Sequence, residues 1–193
     1  MYTLVRDWRH CLSRIFLAIP CAFHTLNVSG GQVTASRGLI EFVKANGIEH
    51  AVLDTAAFSL TKNRSIQIMI KLRIFLIILY YSAFGRFNSA LFFKSTNLGL
   101  LDRFFPALLF RLRGKRVGIF FRNSDIFLIK SESCYARFIR LLLKPYSVYF
   151  VQGNEWKKRL IELGFDTERV VVIPNWLPYG FDIATESKQL TTT

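Results

Sequence analysis

Unbroken apolar stretches of strand length alternate along this chain with stretches whose apolar residues return every three or four positions. Ile15 to Phe23 is an apolar run. Beyond it, Ala35, Leu39, Phe42 and Val43 fall at i, i+4, i+7 and i+8, one face of a helix that Asn46-Gly47 ends. A short β-branched strand, Ala51 to Leu53, finishes at Asp54. Ser65 to Phe84 reads as a long helix, with Arg64, Gln67 and Lys71 on one face and Ile68, Leu72, Phe75, Leu76 and Leu79 on the opposite one. Ala90 to Phe93 is a strand, Leu100 to Arg116 a helical stretch and Arg116 to Phe121 a buried-strand pattern. Ala136 to Lys144 sets Arg137, Arg140 and Lys144 against Ile139, Leu142 and Leu143.

The last third repeats the alternation most clearly. Val148, Phe150 and Val151 are strand formers. Asn154 is placed to cap the next helix, and Glu155 stands in its first turn, where the helix dipole favours an anion. Trp156, Leu160 and Leu163 share a helical face, and Gly164 stops the helix. Val170 to Ile173 is a short strand that breaks at Pro174-Asn175. Strands alternating with helices predict an α/β layer fold with a mainly parallel sheet.

Two of these stretches together resemble the N-terminal, acceptor-side domain of family 4 glycosyltransferases, which have the two-domain GT-B architecture. One is Ser147 to Pro178, whose strand, helix, Gly, strand and Ile-Pro-Asn order matches the close of that domain. The other is Val28-Ser29-Gly30-Gly31-Gln32, which stands where the family's first strand–loop–helix unit has its Gly-Gly loop. The resemblance covers residues 15–178. It implies a Rossmann-like three-layer αβα domain, one half of a GT-B fold, preceded by a lead-in at 1–14 and followed by a polar tail at 179–193. It implies retaining sugar transfer from a nucleotide-sugar co-substrate to a lipid-linked saccharide acceptor in cell-surface polysaccharide (lipopolysaccharide) synthesis, with no other cofactor and no metal. The family's second, donor-binding domain finds no room after Pro174, so that domain is expected on a separate chain, or the chain is a truncated remnant.

The resemblance supplies some of the candidate residues, and polar residues at the carboxyl ends of strands supply the others. Gly30, Gly31 and Gln32 would bring backbone amides to the donor phosphates at a helix N-terminus; a plain structural turn uses the same residues. Asn175 matches the family's Asn after Ile-Pro at the mouth of the cleft, where a turn is the other reading. At the carboxyl end of the Arg116–Phe121 strand, family relatives carry His-Gly or His-x-x beside the reacting sugar. This chain has Arg122-Asn123-Ser124-Asp125. Arg122 is a candidate for binding a pyrophosphate and Asp125 for orienting an acceptor hydroxyl; alternatively Ser124 or Asp125 caps the next helix. Lys94-Ser95-Thr96-Asn97 closes another strand and is polar enough to line an acceptor pocket.

Charge sharpens the picture. Of 193 residues carrying a formal charge of +13, residues 61–144 hold sixteen Lys/Arg and only three Asp/Glu. An ordinary solvated helix face mixes signs. Three basic, apolar helical stretches in that segment predict attraction to an anionic membrane surface. The alternative is a set of core helices with their cations toward solvent. The uncharged run from Ile74 to Gly85 would span about 18 Å as a helix, short of the ~30 Å hydrocarbon core, so a surface helix is expected and not a span. No recognition helix, RNA-binding strand motif or zinc finger points to nucleic acid. Cys11, Cys21 and Cys134 are odd in number and far apart, which suits a reducing compartment and neither disulfides nor a metal site. His10, His24 and His50 lack ligand spacing. Ile15 to Phe23 has the length of a signal h-region as well as of a first strand, and the strand is adopted. The expected location is cytoplasmic, peripheral to the inner face of the plasma membrane. The competing reading is a non-catalytic membrane-surface α/β interaction module.

Overall fold

The computed structural model of the protein describes residues 13–20, 31–55, 63–94, 99–122 and 124–173. Its elements run β1 (Arg14–Ile19), α1 (Gly31–Ala45), β2 (Glu49–Asp54), α2 (Arg64–Phe84), β3 (Ser89–Lys94), α3 (Gly99–Leu112), β4 (Arg116–Phe121), a 3-10 turn (Ser124–Leu128), α4 (Cys134–Leu143), β5 (Val148–Val151), α5 (Asn154–Glu162), a second 3-10 turn (Thr167–Arg169) and β6 (Val170–Val172). The six strands form one sheet in the order β2-β1-β3-β4-β5-β6, with every neighbouring pair parallel. The fold is the expected Rossmann-like α/β layer.

The strand patterns explain the order. All six residues of β3 and the last five of β4 are buried, the mark of strands covered on both faces. β2 begins on an exposed Glu49 and is elsewhere only half-buried, as an edge strand should be. Side chains alternate between two cores. Phe16, Phe92, Ile119 and Phe121 face a large core with residues of α2, α3, α4 and α5. Leu17, Leu91, Phe93 and Phe120 face a smaller one with Leu39, Ile40 and Val43 of α1. Right-handed crossovers demand this division: the step from β1 to β2 runs one way along the sheet, and every later step runs the other way. Gly118 in β4 serves the smaller core, because a Cβ there would sit 2.9 Å from a ring carbon of Phe150.

Helix ends follow the sequence closely. Gly47 (φ 63) follows α1, and Gly164 (φ 85) follows α5. One cap differs: Gly153 is the N-cap of α5, without a side-chain cap hydrogen bond, and Asn154 is already the first helical residue. Phe42, placed by periodicity on the inner face of α1, is 46% exposed. It lies at the rim of an apolar arc whose centre is taken by Leu39, Ile40 and Val43.

The larger surprise is α2. Its buried residues are Ile74, Ile78 and Ser82, while Ile68, Leu72 and Leu76 of the predicted apolar face point outward. Ser82 donates to the Ile78 carbonyl (2.7 Å), and its own carbonyl accepts from Arg113 Nη1 beyond α3 (2.9 Å). The rings of Phe16 and Tyr81, 5.3 Å apart, lock the same inner side to the sheet. α2 is apolar nearly all round, so its own periodicity chooses no face. The sheet chooses it.

Candidate functional site

Because all strands are parallel, their carboxyl ends share one edge. β1 and β3 are neighbours there, yet α1 leaves β1 toward one face and α3 leaves β3 toward the other. This divergence marks the point along the edge at which open α/β sheets hold ligands. α1 opens on Gly31 and Gln32 and carries no acidic side chain in its first turn. Its dipole therefore meets no acidic side chain from the helix's own first turn. Gly30, Ser95, Thr96, Asn97 and Asn175 lie outside the described residues.

Two cations end the next two strands. Lys94 is the last residue of β3 and pairs in register with Phe121, so Arg122 follows one position beyond it on β4. Neighbouring strands run about 4.8 Å apart. The Lys94 side chain is fully buried, and its Nζ donates to Asp125 Oδ1 at 2.5 Å. It also lies 5.7 Å from the centre of the Phe121 ring. Burial lowers the Lys94 pKa, while the hydrogen bond and charge of Asp125 pull the other way. Asp125 stands in the first turn of the Ser124–Leu128 turn. Its carboxylate thus ties the loop after β4 to the end of β3 across 31 positions of sequence.

Arg122 is half-buried, with its guanidinium carbon 5.6 Å from the centre of the Phe120 ring. Burial lowers its pKa, but a guanidinium stays protonated under ordinary conditions. A cation stripped of part of its water and backed by an aromatic face is well placed to take an oxyanion. Arg122 and Asp125 thus stand at one edge, and Lys94, the first residue of the polar Lys94–Asn97 segment, is joined to Asp125 there. Ser124 and Asp125 both lie within the 3-10 turn and do not cap the α-helix that follows. Ser133 instead caps α4, accepting from the Ala136 amide at 3.1 Å.

A neighbouring groove was missed. About 300 Å³ in volume, it is lined by Phe127 from the 3-10 turn and by Glu155, Lys158, Arg159 and Glu162 of α5. Phe127 packs edge-on against Trp156, ring centres 5.1 Å apart. Arg159 holds the wall in place by donating to the Ile129 carbonyl, to Ser131 Oγ (3.4 Å) and to Glu162 Oε2 (2.7 Å). The available signal was Glu155, Lys158 and Glu162 at i, i+3 and i+7 on one face of α5. Their partner Phe127 is too far away in sequence for periodicity to connect.

No family model matches the chain, and no curated protein is similar to it. Among solved structures it is similar to "Crystal structure of Anabaena Alr3699/HepE in complex with UDP and glucose", with a TM-score of 0.46 and 12% identity over 92% of this chain. The match takes in 50% of that protein, so the chain spans about half the length of the structure it matches.

Proposed function

We propose that this chain is the acceptor-side α/β domain of a retaining, nucleotide-sugar-dependent glycosyltransferase of the family 4 type. It acts on a lipid-linked saccharide at the inner face of the plasma membrane, in cell-surface polysaccharide synthesis. The observation that carries this reading is that Lys94 and Arg122 stand at the ends of adjacent strands, on the sheet edge where β1 and β3 part toward opposite helical layers. Arg122 and the amides opening α1 take the donor phosphates. Lys94 holds Asp125 at the same edge, where its carboxylate orients the acceptor hydroxyl. In transfer, the bond between the anomeric carbon and the phosphate oxygen breaks, the acceptor oxygen bonds to that carbon in its place, and the acceptor hydroxyl's proton passes to the departing phosphate oxygen. The negative charge then left on the nucleoside diphosphate is stabilised by those donors. Most of the donor's base and sugar contacts come from a second domain, on a longer or a separate chain.

Calorimetry with UDP- and GDP-sugars tests this. The chain alone is expected to bind weakly, above the low-micromolar range, and Arg122→Ala is expected to weaken binding a further ~10-fold, as loss of one charge-assisted hydrogen bond does. Binding that ignores Arg122 would remove the reading. Sugar transfer is expected only once a donor-binding domain is supplied. The alternative, a non-catalytic membrane-surface module, is favoured by one observation, the exposed apolar side of α2, and predicts no nucleotide-sugar binding at all.

A further inference from the structure

We propose that the outward side of the α2–α3 layer is a monotopic docking face that seats the domain on an anionic lipid bilayer, with α2 lying parallel to the surface and not crossing it. This locates the membrane contact within the proposed function, and it rests on the helical layer alone.

Met69, Leu72, Leu76 and Tyr80 stand at i, i+3, i+7 and i+11 of α2, a stripe about 16 Å long, and each is more than half exposed. On α3, Phe105 and Leu112 are exposed to a similar degree. Both helices cover the same face of the sheet, so their outer sides look the same way. Isolated exposed apolar residues are ordinary, but a stripe of them along one helix, with more on the helix packed beside it, marks a contact surface.

Charge selects the occupant. Residues 64–113 carry eight Lys/Arg and one acid, Asp102. Arg64, Lys71, Arg73, Arg86, Arg111 and Arg113 are exposed on or beside these helices. A second copy of this face would set like charges against each other. Anionic headgroups complement it, and long basic side chains can lay their stems on the apolar stripe while their charges reach the phosphates.

Topology selects the mode. By length and composition α2 could cross a membrane: it has 21 residues, and its most apolar 18-residue stretch has a mean hydropathy of 1.6 and is only 17% buried. However, the strands before and after it, β2 and β3, both pair with β1 in one sheet. A single crossing would put them on opposite sides of the bilayer. Ile74, Ile78 and Ser82 are moreover committed to the protein core. The helix can sink its outer side into the interface and go no further.

The test is co-sedimentation of the full chain with vesicles of phosphatidylcholine alone and of an equimolar mixture with phosphatidylglycerol. Binding is expected to the mixed vesicles and to fall as salt rises. Leu72→Asp/Leu76→Asp is expected to lower the bound fraction at least ~10-fold with an unchanged thermal midpoint, because both side chains face outward. Should the double variant fold poorly, Tyr80→Trp decides: quenching by bromine-labelled acyl chains beyond that of the wild type, whose own tryptophans are Trp8, Trp156 and Trp176, supports the docking face, and no added quenching overturns it. Equal binding to neutral vesicles, full binding by the double variant, or resistance of the bound chain to alkaline carbonate would each overturn it. So would a solution dimer, or a complex with an acidic protein, that the double variant disperses while vesicles go unbound. Arg122→Ala is expected to bind vesicles normally, so failure of the sugar-transfer reading and failure of this one are told apart.

Discussion

Helices α1 and α2 follow one another in the chain, flank the same pair of strands, and present opposite surfaces to solvent. α1 buries Leu39, Ile40 and Val43 and shows Thr34, Arg37, Glu41 and Lys44 outward. Its exposed face mixes signs and is made for water. α2 buries a narrow strip, Ile74, Ile78 and Ser82, and shows Ile68, Met69, Leu72, Leu76 and Tyr80 outward. Its exposed face carries cations, Arg64, Lys71 and Arg73, and no acid. The contrast teaches that a hydrophobic stripe reports which face of a helix is removed from water only if something covers it. On α1 the sheet does. On α2 the sheet takes a different face and leaves the stripe uncovered.

The same chemical change placed on the two helices should break this comparison if it is wrong. Leu39→Asp puts an unpaired carboxylate against Leu17 and Leu91 in the smaller core and is expected to cost more than about 3 kcal/mol, read as a large drop in the urea midpoint or failure to fold. A small effect would mean that α1 does not seal that face.

Next in size is the buried pair at the site edge. Lys94→Met strands the Asp125 carboxylate with its main cation gone and is expected to cost about 3 kcal/mol. Lys94→Met/Asp125→Leu is expected to recover part of that, since the carboxylate left behind by the single variant is then gone as well. The pair also carries a pH signature. The folded-state pKa of Lys94 is lowered from the unfolded value of 10.5. As pH rises through the folded value toward 10.5, the native state releases this proton while the unfolded chain still holds it. Stability from this group therefore rises across that window. The stability gap between the wild type and Lys94→Met should widen there, and a gap that narrows would show that the ammonium is not desolvated. Denaturant titrations on both proteins from neutral pH to about pH 10 measure it.

The smallest expected effect is the most pointed. Leu72→Asp, on the outer side of α2, should change the free energy of unfolding by less than about 0.5 kcal/mol, although Leu39→Asp is the same exchange of atoms. If it costs as much as Leu39→Asp, the stripe is covered in solution and the difference between the two helices disappears.

Local pattern alone specified a good deal of this protein. Ala90 to Phe93 and Val117 to Phe121 lie in buried strands because an uninterrupted apolar, aromatic sequence has nowhere to put a polar face. Gly47 and Gly164 end helices because they take positive φ at little cost. Arg122 and Asp125 were visible as a polar break at the end of a buried strand. Tertiary structure alone decided three things. It set the strand order, which depends on crossovers and not on any one segment. It brought Lys94 to Asp125 across 31 residues, a pairing that no local period encodes. It also turned the apolar stripe of α2 away from the core. A helix apolar on nearly every side has no preferred face of its own, so its orientation follows from where β2 and β3 anchor its two ends.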